Sequence, residues 1–110
     1  MRDWALLQRR YQRDSVAIQL GGLASNLNRI AWCAQRDEWQ QAVPVFRESK
    51  YFTEWAAPSC SAEQQGMLAE LQLQLAQWER GWTQRVNPSR IAEEAQRWSS
   101  QLLASSGLLG

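Results

Sequence analysis

The sequence contains no histidine. That removes His-based triads, His general acid–base chemistry and every imidazole metal ligand. Cysteine occurs only as Cys33 and Cys60, too few for a zinc knuckle or a disulfide scaffold. No Gly-rich phosphate loop exists, since Gly21-Gly22 is a lone pair in a helical context. The serines have no plausible base partner. A constellation for catalysis is therefore missing, and the chain is expected to be a non-enzyme without cofactor or metal. No apolar run approaches the roughly 20 residues of a membrane span. None follows Met1-Arg2-Asp3-Trp4 as the core of a signal peptide either. A cytoplasmic location with both thiols reduced is the expectation. Prolines are limited to Pro44, Pro58 and Pro88, β-branched residues are sparse, and no hairpin dipeptide separates alternating runs.

Helix formers dominate what remains, including fourteen glutamines. At 110 residues the chain suits one domain with a modest core. Lys and Arg total 12 against 11 Asp and Glu, a net charge of +1, which argues against a whole-protein nucleic-acid clamp. The expected fold is all-α, an antiparallel helical bundle of about four helices with a long N-terminal helix.

The first helix is expected over about residues 3 to 35. Trp4, Leu7, Tyr11 and Ile18 lie on one side of it. Val16, Leu20, Leu23, Leu27, Ile30 and Ala34 form a second stripe well over roughly 100° away. Three readings fit: a break or kink at Gly21-Gly22, a continuous helix touching two neighbours, or a first stripe that serves a second protomer. The second helix is expected to start with Asp37 as N-cap and to kink or restart at Pro44. Beyond it, Val45, Phe46, Ser49, Phe52, Thr53 and Ala56 fill one arc, and Ala57-Pro58-Ser59 ends the helix. The third helix opens with a Ser61–Gln64 capping box. Its stripe runs Leu68, Leu71, Leu75, Trp78 and Trp82, with Val86 one turn further. Asn87-Pro88 starts the fourth, whose stripe is Ile91, Ala95, Trp98 and Leu102. Gly107 is its expected C′ residue, closed by Leu108. The core should draw on Leu20, Leu23, Leu27, Ile30, Phe46, Phe52, Leu68, Leu71, Leu75, Trp78, Trp82, Ile91, Trp98 and Leu102.

Tyr51 and Trp55 are four apart and share a helix face roughly opposite the core arc. Trp and Tyr that a bundle does not need inside are typical interface anchors. Glu48 and Glu54 flank them. The competing reading is that another segment, such as the long first helix, covers this face. Arg2, Arg9, Arg10 and Arg13 cluster opposite Trp4, Leu7 and Tyr11, either as a solvated face or as a contact for phosphates. Glu48, Glu54, Glu63, Glu70, Glu79, Glu93 and Glu94 suit surface solubility rather than metal binding. Cys60 stands where a helix dipole would lower its pKa. The plainer reading of both cysteines is small apolar filler.

Two stretches carry a resemblance. Leu23-Ala24-Ser25-Asn26-Leu27-Asn28-Arg29-Ile30 and Glu48-Ser49-Lys50-Tyr51-Phe52-Thr53-Glu54-Trp55-Ala56-Ala57-Pro58 resemble segments of small all-helical cyanobacterial proteins of unknown function. The two motifs cover about a fifth of the chain, and the likeness extends in character over residues 15 to 108. It implies a cytosolic helical protein and supplies no activity.

The expected function is protein–protein recognition, as a small adaptor, regulator or assembly factor that docks a larger complex through a helix face. Tyr51 and Trp55 would anchor it, Glu48 and Glu54 would form the rim, and Trp4, Leu7 and Tyr11 would extend it. Homodimerisation through the first helix is a close variant. The alternative is a nucleic-acid- or RNA-machinery-binding regulator using Arg2, Arg9, Arg10 and Arg13.

Overall fold

The computed structural model describes residues 2–84 and 87–107. Among these, every regular element is helical: α1 (Trp4–Arg13), α2 (Val16–Gln35), α3 (Trp39–Ala56), α4 (Ala62–Trp82) and α5 (Pro88–Ser106). A 3-10 turn over Ala57–Ser59 leads from α3 towards α4.

The long N-terminal helix is instead two helices, the first of them short. The break falls at Asp14–Ser15, and the glycines lie inside an uninterrupted α2. Asp14 (φ −73°, ψ 156°) and Ser15 (φ −61°, ψ 159°) are extended. Both residue types offer the backbone an alternative to the helix. Here the Ser15 hydroxyl accepts from the Ile18 N–H at 3.2 Å and caps α2. Asp3 caps α1 the same way, accepting from the Leu6 N–H at 3.0 Å. The buried side changes across this joint, from the Trp4–Leu7–Tyr11 stripe to the Leu20–Leu23–Leu27–Ile30 stripe, and the change is made at Asp14–Ser15 rather than at the glycines.

Asp37 is not the N-cap of α3. It sits at φ 60° in the left-handed region and ends α2, with the Glu38 N–H reaching back to the Cys33 carbonyl at 2.9 Å. Its carboxylate accepts from the indole of Trp39. The N-cap position belongs to Glu38, which makes no side-chain cap bond. α3 continues through Pro44 without a restart. The Gln40 carbonyl that loses its donor belongs to an exposed residue.

The capping box of α4 is present: Ser61 accepts from the Gln64 N–H at 3.1 Å, and the Gln64 side chain accepts from the Ser61 N–H at 2.9 Å. Asn87 precedes α5 at φ 50° without a side-chain cap bond. Gly107 ends α5 at φ 86°, the conformation glycine tolerates best. Val86 and Leu108 lie outside the described residues.

Every residue of the expected core is buried except Trp98, which is half-buried at the core's margin. The core also takes in Ala24, Ala31, Ala42, Ala92 and Ala95. α2 and α5 are the most extensively apposed pair. Small residues let them close up, and the buried Ser99 hydroxyl donates to the Ala24 carbonyl at 3.0 Å. Across α3 and α4, Lys50 bridges Glu79 at 2.8 Å and the Trp82 indole donates to the Trp39 carbonyl at 2.8 Å. Across α4 and α5, the Trp78 indole donates to Glu94 at 2.8 Å and Gln64 to the Ser105 carbonyl at 3.1 Å. The buried indoles of Trp78 and Trp82 thus have acceptors.

Candidate functional site

α1 is ten residues long and amphipathic. A helix that short is marginal alone, so its packing against the rest of the chain holds it. Trp4 and Leu7 are half-buried, and Tyr11 is buried. They meet the face of α3 that carries Tyr51 and Trp55. The Trp4 ring lies 4.6 Å from Tyr51 and 6.4 Å from Trp55, centroid to centroid. Tyr11 stacks on Phe52 at 4.0 Å and reaches Trp55 at 6.1 Å. Tyr51 and Trp55 stack on each other at 5.2 Å.

Polar bonds fix both ends of this joint. Arg2 bridges Glu48 at 3.0 Å and holds its guanidinium 5.1 Å over the Trp4 ring. Gln12 donates to the Trp55 carbonyl at 3.1 Å. The Tyr11 hydroxyl donates to the Gln19 carbonyl at 2.6 Å.

The face expected to stand open is therefore covered by the chain's own first helix. Trp55 is only 7% exposed, so it is no free surface anchor, while Tyr51 keeps 37%. Of the flanking carboxylates, Glu48 is engaged by Arg2 and Glu54 is exposed. One helix accounts for all of this, because α1 has an apolar side to bury and α3 supplies rings of matching size.

The basic residues part company. Arg2 belongs to the joint, whereas Arg9, Arg10 and Arg13 point outward and are exposed together with Leu6. Among the described residues, none of these three guanidiniums is paired with a carboxylate. They form an unneutralised stripe on the outer side of α1.

Both cysteines are free. Burial pushes the Cys60 thiol above its ordinary pKa, in keeping with the plainer reading of a small apolar filler. Cys33 is also raised, by burial first and by Glu38 next, with Arg29 acting in the other direction. A high thiol pKa means little thiolate at neutral pH, which is the chemistry of filler. Among the described residues no group of three or more Cys, Asp or Glu is placed to hold a metal ion, and no helix is long and apolar enough to cross a membrane.

Trp32 is the surface residue that the sequence reading passed over. It is 44% exposed, with the Arg36 guanidinium 4.6 Å over its ring. It borders a shallow cavity of about 290 Å³ with Arg29, Cys33, Gln41 and Val45. The signal was available: Trp32 lies off the Leu23–Leu27–Ile30–Ala34 stripe, with an arginine four residues on.

No protein-family model, curated protein or solved structure matches this chain.

Proposed function

We propose that this chain is a non-enzymatic protein–protein interaction module of the cytoplasm, in which the aromatic face of α3 is the receptor surface and α1 fills it in the free protein. Helices α2 to α5 would act as an antiparallel bundle that holds this surface. One observation supports the reading above the others: the joint is built as interfaces are built, from Trp, Tyr and Arg side chains on a separate short helix. The occupant also tells what the surface accepts. It takes a helix with an aromatic residue, an aliphatic one three positions on and a tyrosine four beyond that, preceded by an arginine for Glu48. A partner helix of that pattern would dock in place of α1. The likeness to cyanobacterial helical proteins adds no activity to this reading.

A labelled peptide of residues 2–13, added to the chain, tests it by fluorescence polarisation. Binding is expected to be weak to the wild type, where α1 competes from within the same molecule. Trp4→Ala with Leu7→Ala loosens α1 and should tighten binding at least tenfold. Absence of binding to both forms at several hundred micromolar would overturn the reading.

A second reading rests on the unpaired stripe of Arg9, Arg10 and Arg13. Such a stripe suits a polyanion such as nucleic acid. Binding of this kind falls steeply with salt, by nearly one logarithmic unit per neutralised phosphate for each decade of salt concentration. Ring-mediated docking survives moderate salt, so a salt titration separates the two.

A further inference from the structure

We propose that two copies of this chain exchange α1, each first helix docking on the α3 of the other copy after the α1–α2 joint straightens. The proposal rests on the docking reading above and names the partner: a second copy of the same chain. The joint itself carries the argument. Its sequence, Gln12-Arg13-Asp14-Ser15-Val16-Ala17, contains neither proline nor glycine. Nothing covalent forbids helix there. The bend is held by two cap residues and by local bonds: the Asp14 N–H to the Tyr11 carbonyl at 3.2 Å, and the Gln19 amide to the Asp14 carbonyl at 2.8 Å. The bend also leaves a defect, since the Gln19 side-chain oxygen is buried without a hydrogen-bond partner.

If Asp14 and Ser15 turn helical, α1 and α2 become one helix from Trp4 to Gln35, about 48 Å long. In that helix the Trp4–Leu7–Tyr11 stripe would lie well over roughly 100° from the Leu20–Leu23–Leu27–Ile30 stripe, facing away from its own bundle and towards a second copy. Straightening alone bares Trp4, Leu7 and Tyr11 on one element and Phe52 and Trp55 on the other. Two straightened copies cover all of these again, because each α1 meets an α3 of identical sequence. Every ring contact and the Arg2–Glu48 bridge are recovered between chains, and only the conformation at Asp14–Ser15 differs. That is the situation in which short hinges swap.

The test uses the full chain and light scattering on a size-exclusion column, with Ser15→Ala beside Ser15→Pro. Both variants lose the same capping hydroxyl. Proline suits the bend, because Ser15 has φ −61° and Asp14 has ψ 156°. It strongly disfavours a straight helix, where it removes a backbone donor and its ring would crowd the Tyr11 carbonyl. Alanine favours the straight helix. The expected result is a dimer of Ser15→Ala at least tenfold tighter than any dimer of Ser15→Pro. Equal association of the two variants would overturn the exchange.

A charge swap tests the same proposal without touching the joint. Arg2→Glu and Glu48→Arg each place like charges together within one chain. In a mixed exchanged dimer both sites regain opposite charges, so the mixture should dimerise more strongly than either variant alone. A mixture no different from its components would overturn the exchange. If the labelled peptide binds while these experiments fail, the docking reading stands and the exchange alone falls.

Discussion

The Tyr11 hydroxyl donates to the Gln19 carbonyl at 2.6 Å, a bond that spans the joint between α1 and α2. Tyr11 belongs to the first helix and Gln19 to the second, so the bond fixes the angle at which α1 returns to α3. The same ring stacks on Phe52. One residue thus ties three helices together, which gives it consequences beyond its own contacts.

Tyr11→Phe keeps the stacking and removes the bond. The expected loss is about 1 kcal/mol, a fall in Tm of about 4 °C for a domain of this size. Burial pushes the phenol well above the ordinary tyrosine value, with smaller contributions from the charges of Cys60, Asp14 and Glu48. Above about pH 10 an unfolded tyrosine gives up its proton while the folded one keeps it, so the unfolded state gains and stability falls as pH rises. Circular dichroism across pH 8 to 12, a roughly chosen span around that value, should show wild type losing more stability at the alkaline end than Tyr11→Phe. Parallel curves for the two proteins would count against a buried, protonated phenol.

Trp55→Ala and Tyr51→Ala should separate sharply, although the two rings stack on one helix face. Trp55 is 7% exposed and Tyr51 is 37% exposed. Emptying the first site should cost about 3–5 kcal/mol, while the second should cost about 1 kcal/mol in lost ring contacts. Urea denaturation of the two single variants measures both values. Equal costs would mean that α1 does not cover Trp55 in solution.

The sequence made α4 and α5 legible because their stripes, capping box and closing glycine all point the same way. The interior of α2 and α3 was legible for the same reason, down to buried Ser49 and Thr53. Each of these returns its hydroxyl proton to a nearby carbonyl, of Val45 and Lys50. The break at Asp14–Ser15 was not legible. Periodicity reports which side of a helix is buried, and the change of side between Tyr11 and Leu20 fits a kink at Gly21-Gly22, a helix touching two neighbours or a second protomer as well as it fits this break. Covering of Tyr51 and Trp55 was foreseen only as the competing reading, since the choice depends on where α1 turns, and that turn falls at Asp14 and Ser15, where the Asp14 N–H ends α1 and the Ser15 hydroxyl caps α2. Asp37 was misplaced by one function: aspartate favours N-caps, yet it also tolerates the left-handed conformation that ends a helix.

Ser99 of α5 packs against α2, 2% exposed and bonded to the Ala24 carbonyl. Ser99→Ala should cost about 1 kcal/mol or less, because a carbonyl in a helix already has its own backbone donor. Ser99→Leu adds three carbons where small residues meet and should cost about 1–3 kcal/mol by overpacking. Thermal unfolding of the two variants ranks them. A leucine variant as stable as the alanine variant would show that the two helices can part without loss.

Glu94 offers the acid counterpart of Tyr11. Burial alone would raise its carboxyl, but hydrogen bonds from Trp78 and Arg90 and the charges of Arg90 and Arg97 outweigh that and hold it below its ordinary value. A depressed folded pKa stabilises above the unfolded carboxylate value, about 4.3, and the benefit is lost as pH falls through the folded value. Glu94→Gln keeps an acceptor for the Trp78 indole and removes the charge. Arg90 is largely solvated, which weakens its share. The expected cost at pH 7 is therefore about 1 kcal/mol. Unfolding midpoints at pH 7 and at pH 3, a pH roughly one unit below that carboxylate value, decide the matter. The gap between wild type and variant should narrow at the lower pH, where the unfolded-state carboxyl has taken up its proton and the benefit is being lost. A gap of the same size at both would place the loss in packing around Trp78 rather than in the charge of Glu94.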